Sequence, residues 1–301
     1  MEWIAVLTQD HLRGVMVPIV TPFDRSGNVD FDSFKKLIAR LVSKGIHGLI
    51  VNGTTGESPV IESRELEDLI LTARQAIPAT LGVPLIVGTG SNNTSATVKR
   101  TAQAKSLGAD AALVVTPYYN RPSQQGIIQH FQALAEAELP VILYDIPYRT
   151  GVQLELETIK AIMRMDHVIG LKESTGNLKR LAALARCMTK PVLCGEDELF
   201  FASLCCGAAG GILASANLDS DQFVQVYEQY QTDNINESRR IFDQLLPLIQ
   251  FLFSEPNPAP LKWLLAQRGH IRSDRLRLPM TAISSAASKK GTRLIQGHAG
   301  T

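Results

Sequence analysis

The chain carries almost no surplus of charge: Lys plus Arg number 30 against 29 Asp plus Glu, a formal net charge of +1. A balance this close leaves nothing to neutralise a phosphate backbone or to dock on an anionic bilayer, so nucleic acid and membrane partners are not expected. Cysteine is scarce: Cys187, Cys194, Cys205 and Cys206 make no CxxC pair. A chain of 301 residues does not need disulfides to hold a core, so the expected setting is a reducing, cytoplasmic one. Uncharged apolar runs of about 18 residues, the length that spans a bilayer, are missing. The N-terminal apolar run 3–7 is too short for a signal peptide. The six histidines, His11, His47, His130, His167, His270 and His298, are scattered without ligand-like spacing, and no metal site is expected. With 45% apolar and 20% charged residues, the remainder describes an ordinary globular protein and excludes disorder and collagen-like repeats.

Eight short runs rich in Val, Ile and Leu recur along the chain, at 14–20, 48–53, 84–90, 111–117, 140–147, 167–174, 191–197 and 210–218. They lack clean alternation, as strands covered on both faces of a parallel sheet do. Between them lie segments with apolar residues at helical spacing, among them 31–44, 64–77, 94–107 and 177–188. Gly45, Gly108 and Gly207 stand just past helical patterns, where a left-handed residue ends a helix. Strand and helix repeated eight times means a closed (β/α)8 barrel or a doubly wound sheet. A doubly wound dinucleotide fold needs GxGxxG after an early strand, and Gly88-Thr89-Gly90-Ser91-Asn92-Asn93 lacks the third glycine. The expected fold is therefore an α/β TIM barrel over 1–230 with a C-terminal helical region over 231–301, and no cofactor is implied. Within that region helices are expected over 237–253 and 260–267, following one at 220–230, while 284–301, small, polar and basic, reads as partly frayed.

In such a barrel the active site lies at the C-terminal ends of the strands. Lys172 stands out there as the one lysine or arginine inside any of the eight runs. If Val168, Gly170 and Lys172 share a face that points into the barrel, desolvation lowers the amine pKa, and a neutral amine condenses with carbonyls. A strand-end lysine otherwise snorkels outward or pairs with Glu173 or Glu196. Tyr144 closes the fifth run, next to the sixth, where a phenol can move protons; the competing role is that of a core tyrosine. The loop Gly53-Thr54-Thr55-Gly56-Glu57-Ser58 sets two hydroxyls between glycines and could hold a carboxylate, though a threonine-capped turn has the same composition. Arg149 follows the fifth run, where its planar fork suits bidentate carboxylate recognition. The pair Tyr118-Tyr119 in a loop reads as interface. Cys205 and Cys206 read as packing residues.

Four segments carry a specific resemblance: Gly53-Thr54-Thr55-Gly56-Glu57-Ser58; Thr116-Pro117-Tyr118-Tyr119-Asn120-Arg121-Pro122-Ser123; Leu143-Tyr144-Asp145-Ile146-Pro147-Tyr148-Arg149-Thr150-Gly151; and Gly170-Leu171-Lys172-Glu173-Ser174-Thr175-Gly176-Asn177. In this order, each at an expected strand end, they resemble the dihydrodipicolinate synthase family of pyruvate-dependent class I lyases. Glu255-Pro256-Asn257-Pro258 and 276–280 extend the likeness into the helical appendage. The resemblance implies that Lys172 forms a Schiff base with pyruvate. It implies that Thr54, Tyr144 and Tyr119 relay protons, with Tyr119 donated across a subunit interface of a homotetramer. Thr55, Ile212 and Gly195 match substrate-binding positions, and Arg149 matches the residue that grips the carboxylate of L-aspartate semialdehyde. The implied reaction is an aldol-type condensation of pyruvate with that aldehyde in lysine and diaminopimelate biosynthesis, without metal or organic cofactor.

Sialic acid lyases resemble the same scaffold but generally lack the arginine and carry Ser-Thr where this chain has Thr54-Thr55. Asp145, Tyr148 and Glu196 depart from the family pattern, and all three are expected near the second substrate. Those departures keep two alternatives: another 2-keto acid aldolase or hydratase, and a pyruvate-binding paralogue without turnover. A metal-dependent aldolase is a more distant one. Ser63, Leu66 and Ala96 stand at the positions where some family members bind lysine through histidines and a glutamate, so weak or absent lysine inhibition is implied.

Overall fold

The computed structural model describes residues 7–298. Eight parallel strands hydrogen-bond in sequence order and close on themselves, β8 pairing with β1. They are β1 (Gly14–Pro18), β2 (Gly48–Val51), β3 (Leu85–Gly88), β4 (Ala111–Val115), β5 (Val141–Asp145), β6 (Val168–Glu173), β7 (Val192–Cys194) and β8 (Gly210–Ile212). Helices α1 (Phe31–Ser43), α2 (Ser63–Ala76), α3 (Thr94–Ser106), α4 (Gln124–Ala133), α5 (Pro147–Thr150), α6 (Leu156–Met163), α7 (Leu178–Cys187) and α8 (Phe200–Cys205) alternate with the strands. They are followed by α9 (Ser220–Gln231), α10 (Ile235–Leu252), α11 (Ala259–Gln267) and α12 (Ser285–His298). The fold is the expected TIM barrel with C-terminal helices, and among the described residues no helix is long and apolar enough to cross a membrane.

The absence of clean alternation in the apolar runs has its reason in two cores. One strand face fills the barrel with Met16, Ile50, Ile86, Leu113, Ile142, Leu193 and Ile212. The other packs Val17, Leu49, Val87, Val114, Leu143, Leu171 and Val192 against the helix layer. Both faces exclude water, so both are apolar. Gly45, Gly108 and Gly207 all have positive φ, as helix-ending glycines do. Each apolar run overshoots its strand at the C-terminal end. The eighth run continues as a 3-10 turn over Ala214–Asn217 rather than as sheet.

Two expectations are corrected. Val168 packs with the outer core while Ile169 joins the inner one. The pairing slips by one residue, from Val141 opposite Val168 to Ile142 opposite Gly170. This irregularity swaps the faces, so Gly170 and Lys172 share the inner face without Val168. Within the segment 284–301, expected to be partly frayed, Ser285–His298 form α12 instead. Ser284 Oγ accepts from the Ala287 amide at 3.1 Å and itself donates to Glu255 at 2.5 Å. Leu294 and Ile295 pack on the core. Gly291 lets the helix sit directly on an aromatic pair: a Cβ there would meet Trp263 at 2.3 Å and Phe251 at 2.6 Å. Positions 1–6 and 299–301 lie outside the described residues, and with them most of the apolar run 3–7 and the end of the 284–301 segment.

Barrel closure depends on a glycine seam. A Cβ on Gly210 would lie 2.1 Å from the Gly14 carbonyl oxygen and 2.4 Å from its nitrogen, backbone atoms that cannot swing aside. Gly210→Ala is therefore expected to lower the unfolding free energy by about 1–3 kcal/mol, the usual scale of core overpacking, in urea titrations followed by circular dichroism. An unchanged midpoint would contradict the seam.

Candidate active site

The register of β5 and β6 sets Tyr144 opposite Lys172 and Asp145 opposite Glu173. Side chains alternate across a strand, so the first pair turns into the barrel mouth and the second toward the helices. Lys172 is 7% exposed and Tyr144 6%, and the Lys172 Nζ lies 4.2 Å from the Tyr144 ring centroid. Gly195, just beyond β7, permits this burial: a Cβ there would come within 2.8 Å of Lys172 Cε and 1.8 Å of Ser174 Oγ. Glu173, one of the partners considered for this lysine, faces away from the amine and bonds to Thr175.

The threonine loop forms a 3-10 turn over Thr54–Gly56. It ends at Glu57 in the left-handed conformation, φ 58°. Thr21 Oγ1 donates to the Gly56 carbonyl at 2.7 Å. A Cβ on Gly56 would lie 3.2 Å from the Ile19 carbonyl oxygen, so the loop lies close on the backbone beyond β1. On the far side of the mouth, α5 begins with Pro147, whose fixed φ suits a first turn, and stops at Gly151, φ 75°. This short helix presents Arg149, whose guanidinium stands 5.5 Å from the Tyr148 ring centroid.

Thr54, Thr55, Tyr144, Arg149, Lys172, Gly195 and Ile212 line one cavity of about 40 Å³ at the barrel mouth. A second cavity of about 390 Å³ shares Thr54, Tyr144 and Arg149 and runs outward between α2 and α3, past Ser63, Leu66 and Arg100. Seven of the eight expected residues are thus brought together. The eighth, Tyr119, is not: it has φ 70° and is 88% exposed, and it lines neither cavity. Ala96 lines neither cavity either, whereas Ser63 and Leu66 face the larger one.

Beside the amine stands an acidic pair. Asp197 is buried and accepts from the amides of Ser215 at 2.6 Å and Ala214 at 3.3 Å; burial nevertheless raises its pKa. Glu196, half-buried, is pushed up to about 7, first by burial and then by Asp197, while Lys172 and Arg149 pull the other way. Its charge therefore develops near neutrality, within the field of the amine and the arginine.

Sequence reasoning missed how the C-terminal helices hold the threonine loop. Lys262 of α11 is fully buried; its Nζ donates to Glu57 Oε1 at 2.8 Å and to the Thr21 carbonyl at 2.9 Å, and lies 4.1 Å from the Phe23 ring centroid. Burial, opposed by Glu57, pulls this lysine down to about 8. The amide of Arg277 donates to the other oxygen of Glu57 at 3.2 Å. Asn257 Nδ2 donates to Thr55 Oγ1 at 3.0 Å, and this leaves the threonine hydroxyl proton free to donate elsewhere. One signal was present in the sequence, a lone lysine within the apolar stretch of α11.

Asp145 is placed differently from the expectation. It is fully buried behind the site, and its Oδ2 accepts from Arg180 Nη2 of α7 at 2.7 Å. Its position directly after the inward-facing Tyr144 turns it outward, so it lines neither cavity of the candidate site. Burial pushes its carboxyl up to about 6 in spite of Arg180, from an ordinary value of 3.8. A carboxyl that binds its proton more tightly when folded loses stability as pH rises from the unfolded toward the folded pKa. Asp145→Asn, which cannot ionise, is expected to gain on the order of 1–3 kcal/mol relative to the parent between about pH 4 and pH 7, measured by urea unfolding at each pH. A difference that does not vary with pH would contradict this placement.

Comparison with known proteins agrees with the geometry. The dihydrodipicolinate synthetase family profile matches residues 11–298. The chain is 40% identical over 277 residues to the 4-hydroxy-tetrahydrodipicolinate synthase of Syntrophobacter fumaroxidans, covering 91% of this chain and 94% of that one. It is 36% identical over 284 residues to 4-hydroxy-tetrahydrodipicolinate synthase 2 of Clostridium acetobutylicum, with 93% and 98% covered. Among solved structures, the dihydrodipicolinate synthase of Thermotoga maritima superposes with a TM-score of 0.92 at 35% identity, over 95% of this chain and 98% of that chain. The chloride-inhibited enzyme of Acinetobacter baumannii, complexed with pyruvate, gives 0.91 at 35% identity, again over 95% and 98%. With a buried strand-end lysine, a facing tyrosine and a threonine loop all in place, this chain belongs to the dihydrodipicolinate synthetase family.

Proposed function

We propose that this chain condenses pyruvate with L-aspartate semialdehyde to give 4-hydroxy-tetrahydrodipicolinate, the step that leads toward lysine and diaminopimelate. The observation that carries the reading is the buried amine of Lys172 against the Tyr144 ring, in one cavity with Thr54, Thr55 and Arg149. The printed names of its relatives support it, as does the pyruvate complex of a neighbour that is 35% identical.

The Lys172 amine adds to the pyruvate ketone, and the resulting carbinolamine expels the former ketone oxygen as water to form an imine. The imine withdraws electrons, so a methyl proton departs and the resulting enamine attacks the aldehyde carbon. The electron sink is the protonated imine itself, and the reaction as proposed needs neither metal nor organic cofactor. Tyr144 moves protons between the amine, the enamine carbon and the new hydroxyl. Thr54 supports that relay. The Thr55 hydroxyl, accepting from Asn257, is free to donate to the pyruvate carboxylate. Ile212 and Gly195 shape the pocket around the methyl and the lysine stem. Arg149 grips the second carboxylate as a fork. The substrate amine then displaces Lys172 by transimination, which closes the ring and frees the enzyme.

The exposed Tyr119 fits a tyrosine offered to a neighbouring copy, and we extend the proposal to a cytoplasmic homotetramer in which Tyr119 completes the proton relay across an interface. In reaction class the enzyme is a carbon–oxygen lyase. Purified protein given pyruvate and L-aspartate semialdehyde is expected to turn over in an assay coupled to the next reductive step. Lys172→Ala is expected to lower kcat by at least about 1,000-fold, as loss of a covalent nucleophile does. Turnover that survives this substitution, or a parent enzyme preferring a different aldehyde, would overturn the reading.

A further inference from the structure

Directly behind the Tyr144 and Lys172 pair, one cation serves two buried carboxylates. Asp145 is fully buried and Glu173 is 2% exposed, and these are the residues that immediately follow the two mouth residues on adjacent strands. Arg180 of α7 reaches between them: its Nη2 donates to Asp145 Oδ2 at 2.7 Å, while its Nε, which makes no hydrogen bond among the described residues, faces Glu173 Oε1 as a charge contact at 3.7 Å. The same Nη2 donates to the Leu154 carbonyl at 2.8 Å, which anchors the guanidinium to the segment before α6. Glu173 is held further by the amide of Thr175 at 3.2 Å and by its hydroxyl. Asp145 Oδ1 has no hydrogen-bond partner among the described residues. The strands carry their side chains on alternate faces, so the two carboxylates and the two mouth residues are four corners of one strand junction.

We propose that Arg180 is a positioning residue for the reaction: by tying Asp145 to Glu173 it clamps the ends of β5 and β6, and so fixes the phenol of Tyr144 against the amine of Lys172. The inference rests on the assignment of Lys172 as the pyruvate-binding amine. Adjacent buried carboxylates repel when both are ionised, and a single guanidinium is what holds them side by side. Removing it drives the strand ends apart at the residues next to the reacting groups, where a misplacement of about 1 Å costs on the order of 100-fold in rate. Charge state modulates the clamp. Burial raises both carboxyls, Asp145 to about 6, with Arg180 lowering each and Asp145 raising Glu173; the charge of Glu173 in turn raises Glu196, beyond β7. As pH falls, the cluster takes up a proton and the repulsion fades.

The test is the rate at which cyanoborohydride traps pyruvate on Lys172 in the full-length protein, read by intact mass from pH 6 to pH 8, for the parent, Arg180→Met and Arg180→Lys. Arg180→Met is expected to trap about 10- to 100-fold more slowly at pH 8, with the ratio to the parent recovering toward pH 6, where protonation relieves the unpaired carboxylates. Arg180→Lys keeps the charge but cannot span both carboxylates, and is expected to fall between the two; should Arg180→Met not fold, slower trapping by Arg180→Lys alone carries the result. Trapping at the parental rate by both folded variants overturns the proposal. So does a slowing that is the same at every pH, because that is what a loss of folded protein alone produces. A parent that traps no pyruvate overturns the assignment of Lys172 and this proposal with it, whereas parental trapping with unaffected variants overturns the clamp alone.

Discussion

A single strand register brings the phenol of Tyr144 and the amine of Lys172 together at the barrel mouth. Tyr144 and Lys172 stand opposite each other on β5 and β6 because the ladder slips by one residue lower down, where Ile142 meets Gly170 rather than Ile169. Without that slip the period-2 alternation would turn Lys172 toward the helices and bring Glu173 into the mouth. The inner core of Leu113, Ile142, Leu193 and Ile212 beneath the lysine removes water from around it. A glycine at 195 gives the stem room to lie flat against β7. The buried amine is therefore a product of barrel geometry, and the residues that set that geometry are mostly apolar and lie beneath the mouth.

The barrel supplies only part of the site. Its threonine loop is closed from outside by helices that come after the eighth strand. Lys262 and Glu57 form a fully buried ion pair. Such a pair costs desolvation that its own attraction only roughly offsets, and its clearest effect is to specify one arrangement over others. Here that arrangement is the turn bearing Thr54 and Thr55, with Asn257 fixing which way the Thr55 hydroxyl can donate. The C-terminal helices are thus part of the wall of the candidate site rather than an appendage beside it. Phe23 joins both cations to this assembly, with Lys262 at 4.1 Å and Arg277 at 4.4 Å from its ring.

The eight strands, the closing glycines of the helices and the strand-end residues could be read from the sequence because each has a local cause: apolar composition, a positive φ, or a charged residue where the neighbours are apolar. The places of Lys172, Tyr144, the threonine loop and Arg149 at the strand ends were legible in this way, while the roles expected of them came from the motif resemblance. What could not be read depends on contacts between distant segments. The irregularity at Ile169 that parts Val168 from Gly170 belongs to strand pairing, not to β6 alone. Asp145 was expected near the second substrate because its chain neighbours are there, yet a one-residue step in a strand reverses its direction and delivers it to Arg180, 35 positions later. Residues 284–301 read as partly frayed because they are small, polar and basic, and one of those small residues, Gly291, is what allows α12 to lie against Trp263 and Phe251. Tyr119, held in the left-handed conformation on the surface, is brought to neither cavity of the single chain.

The central claim is that the Lys172 amine and the threonine loop together hold pyruvate. It is tested most directly by a crystal structure of the protein soaked with pyruvate and no aldehyde. The account predicts continuous density from Lys172 Nζ into the pyruvate C2 carbon, the carboxylate within hydrogen-bond distance of Thr54 and Thr55, and Tyr144 Oη beside the new imine. Pyruvate bound elsewhere, or an unmodified Lys172 beside an ordered ligand, would contradict it.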